Sequence, residues 1–223
     1  MRLDAGWAVD WARRAADTVA EHRIDLIELD RAIGDGDHGE NLDRGYAALM
    51  VRLRELEDSG SLPTTPGAVL KLTATTLMTT VGGAAGPLLG MAYLRASRVS
   101  DAAALDADAL ATALEEAVAG IEARGHTAPG EKTMVDAWRP AALAARAAAD
   151  SGATPPEVAR AAAEAAAAGA VTTEPMVARK GHASYLGPRS VGHRDPGAES
   201  SALILAAAAD AAEAHGAEQE DPA

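Results

Sequence analysis

LDRAIGDGDHGEN, residues 29–41, sets Gly34, Gly36 and Gly39 at the spacing G-x-G-x-x-G. That spacing suits the phosphate turn of a dinucleotide-binding βαβ unit only where a strand enters it and a helix leaves. Here both flanks read as helix. Trp7, Trp11, Ala15 and Val19 recur every four residues, and Ile24 and Ile27 carry the stripe toward Leu29, which predicts one long helix ending near Ile33. Leu42, Leu49, Leu53 and Leu56 predict a second helix over 42–56, with Asn41 as its cap. Asp35 and Asp37 would also oppose a pyrophosphate unless a metal intervened. The stretch is therefore a helix-to-helix connection, and a dinucleotide fold is rejected.

The same periodicity continues outward. Thr65 and Pro66 supply a cap and a first-turn proline for a helix holding Val69, Leu72, Leu77 and Val81. Gly82 and Gly83 interrupt it, and Pro87 starts another toward Ala96. Residues 106–123 form a further run. Thr133 with Asp136 resembles a capping box using the shorter acid, and Thr154 with Glu157, followed by Pro155, is the stronger form. The alanine-rich helix from Pro155 to about Val171 is expected to continue toward Arg179, and residues 200–215 supply the last one. No alternating strand stands out. The expectation is an all-α, single-domain bundle or barrel of about eight helices over residues 1–223.

Composition narrows the function classes. The formal charge is −13, with 33 acidic against 20 basic residues, which opposes a general nucleic-acid surface. With no cysteine, disulfides, thiolate metal sites and cysteine nucleophiles are excluded. No window reaches the roughly 20 apolar residues of a membrane span, and the N-terminus lacks the apolar stretch of a signal peptide, so membrane insertion is not expected and a cytoplasmic location is. Aromatics are 3% of a chain that is 48% hydrophobic, which favours closely packed, alanine-faced helices. The two N-terminal tryptophans read as core.

Asp30, Asp35 and Asp37 crowd the opening loop. Carboxylates that close repel unless a cation, protons or outward separation relieves them. Hard oxygen donors without thiolates favour magnesium, one ion or two bridged ions, with phosphate oxygens completing about six ligands. An EF-hand does not fit, because the twelfth position counted from Asp35 is Tyr46. Local composition leaves two readings open: a metal-held phosphate site, or an acidic solvated loop. His38 is equally suited to donate to a phosphate or to bond within the loop.

Three more glycine-rich loops, at 82–87, 125–130 and 181–197, would allow close backbone approach to a ligand if they converged. GHTAPGEKT, residues 125–133, misses a P-loop because Glu131 stands where lysine should follow Gly130. Lys132 reads as an exposed, solvated lysine, with a phosphate contact as the alternative.

Taken together, LDRAIGDGDHGENLDRG (29–45), GGAAGPLLG (82–90), GHTAPGEKTMVDAW (125–138) and RKGHASYLGPRSVGHRDPGAESS (179–201) resemble the nucleotide-binding L subunits of bacterial dihydroxyacetone kinases, in the same order and across nearly the whole chain. The resemblance implies a helical barrel holding ADP or ATP through two magnesium ions. Asp30, Asp35 and Asp37 would ligate the metals. His38, Asn41, Ala84 and Ala85 would lie near the phosphates, Gly125 and Met134 would enclose the nucleotide, and Asp195, Pro196 and Gly197 would complete its loop. No residue is expected to act as a covalent nucleophile; the metals would neutralise and align the phosphoryl group.

Two departures bear on that expectation. The family commonly has serine where this chain has Ala85, and arginine where it has His182, which removes a hydroxyl and a five-donor fork from the nucleotide site. The implied partner is a dihydroxyacetone-binding K subunit, with a phosphotransferase-system M protein as rephosphorylating donor in some systems; a homodimer is compatible. The alternatives are a kinase subunit for a related keto sugar such as erythrulose, related modules also occurring in fatty-acid kinase, and a noncatalytic nucleotide-sensing interaction module.

Overall fold

The computed structural model describes residues 1–220. A two-residue strand β1 (Leu3–Asp4) leads into helices α1 (Ala5–Glu21), α2 (Arg23–Ile33), α3 (His38–Asp58), α4 (Pro66–Thr80) and α5 (Ala85–Arg98). Strand β2 (Ala104–Leu105) follows, then α6 (Ala107–Gly125), α7 (Val135–Asp150), α8 (Pro155–Thr172), a 3-10 segment (His182–Ser190) and α9 (Pro196–Glu220). The strands pair antiparallel, Leu3 opposite Leu105. Among the described residues this makes nine α-helices and one 3-10 segment, against an expectation of about eight. The architecture is a bundle and not a closed barrel.

Helices from α4 to α9 each pack on the next, α9 returns to α1, and α1 lies against α3 and α4. Alanine makes this possible. Ala137, Ala141 and Ala145 of α7 and Ala159, Ala162, Ala163 and Ala166 of α8 are all buried, so few side-chain atoms separate the axes. The approach is closest at Gly169, where a Cβ would lie 2.2 Å from the Asp136 carbonyl. Pro140 has no N–H to return to that carbonyl four residues earlier.

The single long N-terminal helix is instead two, broken at His22. The apolar stripe runs through the break and both helices touch α3 and α9, while α1 also packs on α4 and α2 on the 3-10 segment; no glycine or proline marks the boundary. Asn41 is not a cap: α3 begins at His38, and Asn41 N–H already donates to the Asp37 carbonyl at 2.9 Å. Nor does α8 reach Arg179. It stops at Thr172, where the Thr172 and Thr173 hydroxyls each donate at 2.6 Å to the Gly169 and Ala170 carbonyls. The caps at Thr65 and Thr154 form as read, and the last helix starts earlier, at Pro196. Among the described residues no helix is long and apolar enough to cross a membrane.

Trp7 and Trp11 stack with centroids 5.4 Å apart, and their indole N–H groups donate to the Ala208 and Ile204 carbonyls at 3.1 and 2.9 Å. Trp138 is equally buried, but its Nε1 has no hydrogen-bond partner among the described residues. A buried donor without an acceptor costs about 1–3 kcal/mol. Trp138→Phe removes that cost and Trp11→Phe removes a made bond. Urea unfolding is therefore expected to show Trp11→Phe as the more damaging by about 1–2 kcal/mol; equal losses would sink the assignment.

Candidate functional site

The N-termini of α3, α5, α7 and α9 all open onto one cleft of about 640 Å³, within the range of small-molecule sites. Each brings first-turn N–H groups and the positive end of a helix dipole, although Asp195 already takes the Ala198 N–H of α9 and Thr133 Oγ1 the Val135 N–H of α7. At α5 no side chain caps them, which leaves them for an anion, whereas at the start of α3 Asp30 takes two of them. Asp30, Asp35 and Asp37 stand at the α3 end, Asp37 as its N-cap residue, each with a carboxylate oxygen within 4.8 Å of the others.

Asp30 is buried near the end of α2 and reaches across the loop. Its Oδ2 accepts the backbone N–H of Asp37 at 2.9 Å and of His38 at 3.2 Å, so this carboxylate receives the α3 N-terminus. Burial raises its pKa, those two N–H bonds lower it, and the Asp35 carboxylate raises it again. Gly34 is required here, since a Cβ would lie 2.1 Å from Asp30 Oδ1. Gly36 turns the chain back with φ +78°, in the left-handed region. The result is one oxygen-rich cluster fit for a single divalent cation, its donors hard and free of thiolate.

His38 is buried, with Nε2 2.9 Å from the Ser200 hydroxyl. Burial depresses its pKa to about 4, so at neutral pH the ring is uncharged, and its partner is a residue of α9 and not of its own loop. Asp195 caps α9, accepting the Ala198 N–H at 2.7 Å. Burial pushes its carboxyl up to about 7, against the opposing effects of that N–H and of Lys132.

The two shifts have opposite signs. A histidine whose folded pKa is depressed from 6.5 loses stability as pH falls through about 6.5 to 4; an aspartate raised from 3.8 loses it as pH rises through about 4 to 7. Over about pH 4–6.5 the unfolded chain carries its proton on the histidine and the folded chain on Asp195, and the slopes cancel. Thermal melts of Asp195→Asn should then gain stability with rising pH in that window, and those of His38→Asn should lose it. Parallel profiles for the two variants would contradict the assignment.

Asn41, Ala84, Ala85, Gly125, Met134, His182, Pro196 and Gly197 line the same cleft as Asp30, Asp35, Asp37, His38 and Asp195. The four loops singled out in the sequence thus converge. His182 lies across the mouth, Nδ1 3.3 Å from Asp35 Oδ2. Asn41 is buried beneath the turn at Gly82, where a Cβ would lie 2.7 Å from its Oδ1.

Lys132 corrects the sequence reading. It is 1% exposed, donating from Nζ to the Thr173 carbonyl at 2.6 Å and to the His193 carbonyl. Its φ is +61°, and His126 at +48° is the other left-handed non-glycine among the described residues. Both flank the 127–131 turn on the cleft wall, a concentration of strain typical of ligand sites. Ser200 and Asp136 were also missed. Asp136 accepts the Gly130 and Thr133 N–H groups and so holds that turn; its spacing from Thr133 was visible, but only as a cap.

Residues 32–210 match the DAK2 domain family. The chain is 41% identical over 207 residues to the ADP-binding subunit DhaL of PEP-dependent dihydroxyacetone kinase 1 of Listeria innocua, covering 92% of this chain and 96% of that one. It is 37% identical to the ADP-binding subunit DhaL of the PEP-dependent dihydroxyacetone kinase of Escherichia coli, with the same coverage. Among solved structures, the dihydroxyacetone kinase of C. freundii in complex with AMP-PNP and Mg2+ superposes with a TM-score of 0.64 at 26% identity. That match covers 92% of this chain and 33% of the C. freundii chain, so this chain spans about a third of that polypeptide.

Proposed function

We propose, because this chain belongs to the DAK2 domain family and to its ADP-binding dihydroxyacetone kinase subunits, that residues 1–223 are one nucleotide- and magnesium-binding domain. With a separate dihydroxyacetone-binding K subunit it phosphorylates dihydroxyacetone. The observation that carries this is a three-aspartate cluster and four helix N-termini lining one cleft. Carboxylates alone would repel a phosphate; helix N-termini alone would take one without metal. Their combination suits a metal-bridged polyphosphate.

Asp30, Asp35 and Asp37 would hold the cation, and a second ion would join it when the nucleotide is bound. Magnesium bound there offsets the charge that spreads over a transferring phosphoryl group. The backbone N–H groups at Ala84 and Ala85 orient phosphate oxygens, while Ala85 offers no hydroxyl. Asn41 and the neutral His38, held by Ser200, fix the α3 end of the site. Met134, buried in the cleft lining, and Gly125 enclose the nucleotide, and the turn at Asp195, Pro196 and Gly197 closes over it. His182, with Nδ1 3.3 Å from Asp35 Oδ2, would stand beside the phosphates at the aspartate cluster. This chain contributes no covalent nucleophile; the acceptor hydroxyl comes with the partner.

Both DhaL relatives are described as ADP-binding subunits of PEP-dependent kinases, which favours a retained ADP recharged by a phosphotransferase-system M protein. The test is calorimetric titration with ADP with and without magnesium, followed by transfer to dihydroxyacetone with K subunit and phosphate donor added singly and together. Binding only with magnesium, and transfer only with the K subunit, is expected. ADP binding indifferent to chelator would overturn the metal site. Transfer to erythrulose in preference to dihydroxyacetone would move the acceptor. Nucleotide binding with no transfer to either would leave a sensing module, the reading Ala85 and His182 favour.

A further inference from the structure

Residues 175–193 contain Arg179, Lys180 and Arg189 and not one Asp or Glu, in a chain whose net charge is −13. This strap is fixed in place. Ser190 is buried, accepting the Ala178 N–H at 2.9 Å and donating to the Gly187 carbonyl at 2.7 Å. Gly192 N–H donates to the Glu174 carbonyl at 2.8 Å. Beneath it Ala178, Ala183 and Leu186 pack on Ile33, a small second core apart from the main one.

On this pinned scaffold Tyr185 is 85% exposed, more than any other large hydrophobic among the described residues. Val177 and Val191 are exposed near it in the strap, and among the described residues neither Arg179 nor Arg189 makes an ion pair. Lys180 is paired with Glu131, but a pinned strap that holds an aromatic ring in water, with Arg179 and Arg189 to either side in sequence, has the composition of an interface anchor, where Tyr and Arg concentrate binding energy. Its position adds a constraint. Gly181, His182 and Ala183, just before Tyr185, form one wall of the cleft, so whatever covers the tyrosine also covers the cleft mouth.

We infer that the strap, centred on Tyr185 and Arg189, is the docking surface for the subunit that carries the phosphate acceptor, which meets it with an acidic face around an apolar slot. The inference rests on the functional reading above, because a phosphoryl group held in this cleft reaches an acceptor only if the acceptor's carrier seals against its rim. The charge of the strap, opposite to that of the chain as a whole, selects an acidic partner face and repels a basic one.

The test uses the full chain, the dihydroxyacetone-binding subunit of the same organism, and Mg–ADP. Tyr185→Ala and Arg189→Glu are each expected to raise the half-saturating partner concentration at least about tenfold, with Mg–ADP affinity within about twofold. Both side chains are solvent-exposed, so melting temperatures should stay within about 2 °C of the parent. Half-saturation unmoved in both variants overturns the docking surface while leaving the functional reading intact. A wild-type complex that forms but transfers no phosphate sinks the functional reading and not the surface. Absence of any wild-type complex overturns the surface. So does an unmoved partner titration accompanied by loss, in the variants, of self-association or of sedimentation with phosphatidylglycerol vesicles, which would give the strap to a second copy or to a membrane.

Discussion

Asp35→Asn and Asp37→Asn are each expected to lower phosphoryl transfer in the reconstituted kinase by about 10²–10³-fold, and to weaken magnesium-dependent ADP binding with it. Both side chains are exposed, so the loss cannot come from the core, and melting temperatures without metal should hold or rise. The reason is electrostatic. Three carboxylates within 4.8 Å of one another repel in the absence of a cation, and removing one charge relieves that repulsion while removing a ligand. Asp30→Asn differs. The Asp30 carboxylate also receives the Asp37 and His38 N–H groups, and an amide oxygen can retain them only if the side chain turns its NH2 elsewhere. It should therefore lose transfer and some stability together. Transfer and ADP affinity unchanged in both Asp35→Asn and Asp37→Asn would remove the aspartates from the site.

How much of this was readable from the sequence depends on the range of the interactions concerned. The helices were legible because their signals are local: Thr65 before Pro66, the Thr154 and Glu157 box, the apolar four-residue spacing. The break at His22 was not, because nothing in the residues there forbids helix, and only the packing shows α2 leaving the line of α1 to reach the 3-10 segment while α1 packs on α4. The aspartates were legible because adjacency in a short loop forces them together. Lys132 was misread for the opposite reason: its burial is created by Thr173 and His193, 41 and 61 residues away, and a lysine in a glycine-rich loop carries no mark of what will close over it. The His38 and Ser200 pair spans 162 residues and was invisible for the same cause. Convergence of the four loops could be supposed from composition, but only the packing order of the helices brings them to one cleft.

Lys132→Met is expected to cost about 3 kcal/mol, a fall in melting temperature of roughly 6–12 °C for a chain of this size. The methionine keeps most of the apolar stem and removes the ammonium, leaving the Thr173 and His193 carbonyls, buried around Nζ, without that donor. Burial pulls the lysine's pKa down, while Asp195, Glu174 and Asp136 together hold it up, so the ammonium also answers part of the negative charge behind the cleft. Its loss should loosen the turn leading to Asp195, which is tied to Thr173 through the Asp195 N–H at 2.9 Å. ADP affinity then falls along with stability. Backbone and charge are separable here, since Lys132 holds φ +61°. Lys132→Ala keeps the strained dihedral and loses the ammonium; Lys132→Gly loses the ammonium but relieves the dihedral, and should be more stable than the alanine variant by about 1 kcal/mol. A melting temperature for Lys132→Met within about 2 °C of the parent, well inside the expected fall, would show that the two carbonyls find other donors and that the lysine does not hold the cleft wall.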